Sequence, residues 1–286
     1  MTIQSQIKKP VEKLRVTRVY RFLPRGIDLS QDISNHLPAL HLDVLFDVGA
    51  NIGQSAMKFL SWFPNSHIYC FEPVGDTFRK LQENLKGNDH FDSFQLALGA
   101  YRGKGKMLLQ GASDMFSLLN LSKDVMVNDG SNVEEIDLET LDGFCHDRTI
   151  DKINYLKIDT EGSDLEVLKG AENMLSAHRI DLVEVEAGMN CRNKRHVPFE
   201  ILKEFLESKK YFLFGIYEQV HEWPTKEPHL RRINPVFVSE PVIKANSGMH
   251  PYHPTGALLV VGAPDTGRSA SASMRPGGER QAPSMD

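Results

Sequence analysis

Five charged residues crowd two short apolar segments in the second half of the chain. The first segment runs Ile153-Asn154-Tyr155-Leu156-Lys157-Ile158-Asp159-Thr160-Glu161. Side chains alternate along a strand, so Lys157, Asp159 and Glu161 share one face and Leu156 and Ile158 the other. The second, Leu182-Val183-Glu184-Val185-Glu186, again places its acids on one parity. A parallel strand inside a sheet is normally apolar on both faces. Charges there require a cleft, mutual pairing around Lys157, or both. Carboxylates at a cleft mouth can orient a hydroxyl and take its proton, which an alcohol must lose to become a good nucleophile. Asp159 is the first candidate for that base, and Glu161 either pairs with Lys157 or touches the acceptor. His196 and His221, on later loops, are alternatives. Asp159, Glu161, Glu184 and Glu186 could together hold Mg²⁺ or Ca²⁺. No histidine lies within the two segments and Lys157 supplies a compensating charge, so the expectation is no metal and activity that survives chelation.

A second group of residues could hold a nucleotide-like cofactor. Val44-Leu45-Phe46-Asp47-Val48 is an apolar run of strand length ending in the turn Gly49-Ala50-Asn51-Ile52-Gly53-Gln54 and a helix-like sequence. Such a turn presents a ligand to a helix N-terminus. The next apolar run, Ile68-Tyr69-Cys70-Phe71, ends on Glu72-Pro73, where an acid can accept both hydroxyls of a ribose. Asp47, Gly49, Asn51, Gly53, Gln54, Glu72 and Pro73 are therefore the candidate cofactor residues. Asn51 replaces the middle glycine of D-x-G-x-G-x-G. A carboxylate at Asp47 would repel a pyrophosphate but suits the ammonium and sulfonium charges of S-adenosylmethionine. An NAD-dependent Rossmann oxidoreductase is the alternative, and a noncatalytic S-adenosylmethionine-binding protein a third reading.

The elements that must position these groups follow from periodicity. Strands are expected at Val44–Val48, His67–Phe71, Phe94–Leu98, Ile153–Ile158 and Leu182–Val185, with closing strands at Tyr211–Tyr217 and Ile233–Val238. Helices are expected at Ser55–Phe63, about Val74–Leu85, Leu165–Leu175 and Pro198–Ser208. Between residues 101 and 140 the rhythm breaks into Lys106–Gln110 and Val133–Leu138, a hairpin insertion around a polar loop. Phe116, Tyr217 and Trp223 could line an acceptor pocket. Residues 1–42 read as an N-terminal extension in which basic Lys8–Arg25 packs over the domain as a helix or extended segment, a membrane-surface helix being the alternative. Residues 43–240 form the main domain. Residues 241–286 form a C-terminal extension that loses periodicity beyond Pro241 and is disordered from about 264.

Composition narrows the partners. The chain has 286 residues and a formal charge of -5, against nucleic-acid binding by bulk electrostatics. Three scattered cysteines suggest neither disulfides nor zinc, and Cys70 reads as a core residue. No apolar run reaches the roughly 18 residues of a membrane span and no signal-peptide core is visible, so the expected compartment is cytoplasm.

The stretches Asp47–Gln54, Phe71-Glu72-Pro73, Leu138–Asp142, Tyr155–Ala171 and Val183-Glu184-Val185 together resemble the FkbM family of class I S-adenosylmethionine-dependent methyltransferases. The resemblance spans about residues 43–240. It implies an α/β, doubly wound, mostly parallel seven-stranded Rossmann-like sheet with a reversed final strand. It also implies S-adenosylmethionine as cofactor and O-methylation of a hydroxyl on a sugar, glycan or polyketide-like acceptor.

Overall fold

The computed structural model describes residues 19–20, 23–109, 117–118, 133–248 and 258–259. The chain divides into a unit Leu23–Tyr252 and a second unit of Met1–Phe22 with His253–Asp286. In the second, Val19–Tyr20 pairs antiparallel with Leu258–Leu259. Most of the basic stretch, Phe116 and the tail from 264 lie outside the described residues.

In the larger unit, helix α1 (Leu29–His36) precedes strand β1 (Val44–Val48), helix α2 (Gln54–Trp62), strand β2 (His67–Phe71), helix α3 (Gly75–Leu85) and strand β3 (Phe91–Phe94). Strands β4 (Ala97–Leu98), β5 (Gly103–Leu108) and β6 (Val133–Glu139) follow, then helix α4 (Leu141–Arg148). The chain returns as β7 (Ile153–Ile158), α5 (Asp164–Lys169), α6 (Glu172–Ser176), β8 (Ile180–Val185) and β9 (Ala187–Gly188). It closes with α7 (Phe199–Ser208), β10 (Tyr211–His221), β11 (Leu230–Ser239) and α8 (Glu240–Asn246).

The central sheet runs β10-β11-β8-β7-β1-β2-β3, parallel except where β11 runs against β8 and β10. The count of seven and the reversed final strand are as expected. The short β9 makes an eighth by continuing the line of β8 along β11. Because the chain leaves β1 for β2 and later returns beside β1 as β7, the strand order switches direction there. The carboxyl ends of β1 and β7 diverge into a crevice at that point.

Alternation along the strands divides the core between two faces. Phe46, Leu156 and Val183 pack with Phe144, Val167 and Leu202. Leu45, Tyr155 and Leu182 pack with Ile33, Phe59, Leu81 and Val242. Helices α1 and α8, inside the segments read as extensions, thus contribute to this core.

Three details differ from the expectations. The strand placed at Phe94–Leu98 is divided between two sheets: β3 pairs with β2, whereas β4 pairs with β6 of the insertion. The insertion is indeed antiparallel, with β5 against β6. The helix read at Leu165–Leu175 breaks at Gly170, because Asp142 accepts the backbone N–H groups of Asn173 and Met174 and starts α6 afresh. A helix, α8, also continues past Pro241, with that proline in its first turn.

Candidate active site

A cavity of about 310 Å³ opens at the strand ends. Its walls include Gly49, Asn51, Gln54, Glu72, Pro73, Asp159, Glu161, Glu186 and Arg232. Backbone bonds lock this corner: Gly49 and Ala50 donate to Phe71 O at 3.0 and 2.9 Å, and Asp159 N donates to Val48 O at 2.9 Å. Gly49 has φ +81, and a Cβ there would lie 2.0 Å from the Asp159 carbonyl oxygen. Only glycine lets β1 and β7 approach this closely.

Glu72 is buried, yet it faces the cavity. Its Oε2 accepts from Asn51 N at 3.1 Å and its Oε1 from Val74 N at 3.0 Å. Burial pushes its carboxyl up to about 7, despite these two stabilising bonds. Leu96, Leu98 and Met107 give the same cavity an apolar side.

Two of the expected cofactor residues stand elsewhere. Gly53 does not line the cavity. At φ +92 it caps α2, and a Cβ there would sit 3.0 Å from Leu81 Cδ1, so it seats the turn against α3. Asp47 also points away from the cavity. It shares the parity of Leu45, is fully buried, and neither oxygen has a hydrogen-bond partner. Burial pushes its carboxyl up while Lys157, whose Nζ lies 3.7 Å from Oδ1, pulls it down. Asp47 therefore balances a buried lysine rather than facing a ligand.

The acids divide likewise. Lys157 Nζ donates to Asp159 Oδ2 at 3.0 Å. Burial alone would raise the Asp159 carboxyl, but the lysine outweighs it and holds the group below its usual range. Asp159 remains 32% exposed, so this ionised carboxylate is open to an acceptor. Glu161 adopts φ +54, a left-handed conformation that costs a non-glycine residue about 1 kcal/mol or more. Its carboxylate accepts from Arg195 Nε. Glu184 is the correction: it binds the Tyr155 hydroxyl and accepts from Asn234 Nδ2 at 3.0 Å, outside the cavity wall. Glu186 stays, with Arg232 Nη1 on Oε1 at 2.5 Å.

Of the two histidines, only His196 reaches this cluster. Its Nε2 is 2.8 Å from Glu186 Oε2 and 3.3 Å from Glu161 Oε2. Burial would lower the imidazole, but the two carboxylates raise it to about 9. His221 lies exposed at the end of β10 and does not line the cavity. Tyr217 donates its hydroxyl to Asp32 at 2.8 Å, away from the cavity, and Trp223 is 69% exposed. Neither lines the site. Sequence reasoning missed Arg195 and Arg232, whose positions depend on a loop path and an antiparallel register rather than on a local motif.

A family model described as the methyltransferase FkbM domain matches residues 47–213. The chain is 29% identical over 181 residues to the hexuronic acid methyltransferase AglP of Haloferax volcanii, an alignment covering 58% of this chain and 63% of that protein. It is 24% identical over 151 residues to the 2-O-methyltransferase NoeI of Sinorhizobium fredii, covering 49% and 62% respectively. The chain thus spans less than two thirds of the length of either relative. A third relative, Methyltransferase 1 of Beauveria bassiana, is 24% identical over 225 residues, covering 72% of this chain and 85% of that protein. No helix among the described residues is long and apolar enough to cross a membrane.

Proposed function

The chain belongs to the FkbM methyltransferase family, and from that premise we propose that it methylates a hydroxyl of a sugar, glycan or polyketide-like metabolite, with S-adenosylmethionine as donor. The observation that carries this reading is a single cavity bearing both halves of the chemistry. Gly49, Asn51, Gln54 and Glu72 line it together with Asp159, Glu161 and Glu186.

The residues fit the donor. The Glu72 oxygens, each oriented by one backbone N–H, keep lone pairs for ribose hydroxyls. Leu96, Leu98 and Met107 offer apolar surface for a purine. When bound, S-adenosylmethionine supplies an electrophilic methyl carbon on a positively charged sulfur. The protein's share is then to hold an acceptor oxygen in line with that carbon and to take its proton. Asp159, kept ionised by Lys157, accepts a hydrogen bond from the acceptor hydroxyl and fixes its direction. Glu161, held by Arg195, is the second acceptor contact. The hexuronic acid relative supports a sugar acceptor, and the 2-O-methyltransferase supports an oxygen nucleophile.

Calorimetry with S-adenosylhomocysteine and NAD, followed by turnover on uronic-acid and neutral glycans, tests the proposal. S-adenosylhomocysteine is expected to bind in the micromolar range, about -7 to -8 kcal/mol. Binding of NAD in its place would overturn the cofactor. Turnover at a nitrogen or carbon, with hydroxyl acceptors inert, would overturn the acceptor class.

A further inference from the structure

We propose that Glu161, Glu186 and His196 form a binding site for one divalent transition-metal ion at the edge of the cavity, which Glu161 and Glu186 line and behind which His196 is buried. Three chain segments converge there: the turn after β7, the end of β8 and the loop between β9 and α7. One ligand atom from each lies within 4.8 Å of the others. This reverses the expectation drawn from the strands alone, which lacked a histidine, because the following loop supplies one.

The spacing also suits ligands of one ion. His196 Nε2 stands 2.8 Å from Glu186 Oε2, yet that buried oxygen has no hydrogen-bond partner. Two ligand atoms of one ion, each about 2.1 Å from the metal at a right angle, stand about 3.0 Å apart and off each other's axis. The 2.8 and 3.3 Å separations from Nε2 straddle that figure.

The surroundings fix each ligand from behind. Arg232 takes Glu186 Oε1 and leaves Oε2 aimed inward. Asn193 faces His196 Nδ1, while its own Nδ2 donates to Arg231 O at 2.9 Å and its Oδ1 accepts from Arg195 N at 3.2 Å. Outer partners of this kind set ring orientation at metal sites. Gly162, at φ +108, would place a Cβ 2.1 Å from Arg195 O, so the Glu161 turn lies directly on the histidine loop. Arg195 occupies one lone pair of Glu161 Oε2 and leaves another. One imidazole with two carboxylates suits Mn²⁺ or Zn²⁺ better than the all-oxygen preferences of Mg²⁺ and Ca²⁺. Beside Asp159 such an ion would lower the pKa of a coordinated hydroxyl, a role that rests on the acceptor reading above.

The test is a Mn²⁺ titration of the chelator-stripped full chain, followed by electron paramagnetic resonance, with S-adenosylhomocysteine calorimetry in parallel. One equivalent is expected to bind, and Glu186→Gln and His196→Ala are each expected to weaken it at least tenfold while S-adenosylhomocysteine still binds. X-ray absorption of the Zn²⁺-loaded wild type should show imidazole and oxygen ligands, which keeps the test independent of how the variants fold. Absence of a stoichiometric Mn²⁺ site, unchanged binding in both variants, or a zinc shell without imidazole would overturn the inference. Mn²⁺ bound as described, with no S-adenosylhomocysteine binding, would support the metal site and refute the functional reading instead.

Discussion

If Glu72 grips the ribose as a carboxylate, cofactor affinity must depend on pH in a way the structure quantifies. In the free protein burial raises this carboxyl from 4.5 to about 7. A ribose hydroxyl donates to the ionised form, so a proton on Glu72 competes with the ligand. The penalty is a factor of 1 + 10^(pKa − pH), about 11 at pH 6 and about 1.1 at pH 8. S-adenosylhomocysteine should therefore bind about tenfold more weakly at pH 6 than at pH 8, or about 1.4 kcal/mol. Folding stability must move the other way. With its folded value above its unfolded one, Glu72 contributes stability fully below pH 4.5 and loses it as pH rises through 7. The full change is about 3 kcal/mol. Glu72→Gln should remove both dependences. It should also weaken binding at pH 8 by about 1–3 kcal/mol, because a charge-assisted bond is lost and the amide nitrogen cannot accept from Asn51 N or Val74 N. Calorimetry at pH 6, 7 and 8, with urea unfolding of both proteins at pH 5 and 8, reads each quantity. A wild-type affinity that is flat across this range, or that strengthens on acidification, would refute the reasoning.

Two other outcomes probe the neighbouring residues. Gly49→Ala must push its Cβ away from Asp159 O, so we expect S-adenosylhomocysteine binding to fall at least tenfold and urea stability to drop by about 2 kcal/mol or more. Gly87→Ala, with φ +79 but open space around it, is the control that carries the backbone strain alone, and equal losses in the two would remove the close-approach argument. Asp159→Asn should lower methyl transfer by at least ~100-fold and leave S-adenosylhomocysteine affinity within a few-fold. A normal rate in that variant would overturn the assignment of Asp159 as the base.

What the sequence alone determined was local. Five of the expected strands overlap their observed counterparts closely because period-two patterning and the turn residues act within a few positions of each other. The glycine turn at Gly49 and the acid at Glu72 were legible for the same reason, since each sits at the end of an apolar run. Helix α1 was also legible in principle, with Asp28 accepting from Gln31 N at 3.0 Å as a cap, although its few apolar positions gave a weak stripe. Asp47 shows where local reading ends. The sequence placed its carboxylate beside the cofactor, and only the register with Lys157 across β1 and β7 gave that charge its counterpart inside the sheet. The choice of His196 over His221 was likewise tertiary. His196 follows the polar stretch Arg192-Asn193-Lys194-Arg195 and His221 a strand-like run, and neither setting tells which one meets the acids. The loop after β9 folds one beneath Glu186, whereas β10 carries the other to the sheet's rim. Arg232 reaches the same acid because β11 runs antiparallel past β9, pairing Gly188 with Arg232. Charges become partners through register and loop closure, which join residues tens of positions apart, and no local pattern in the chain encodes that distance.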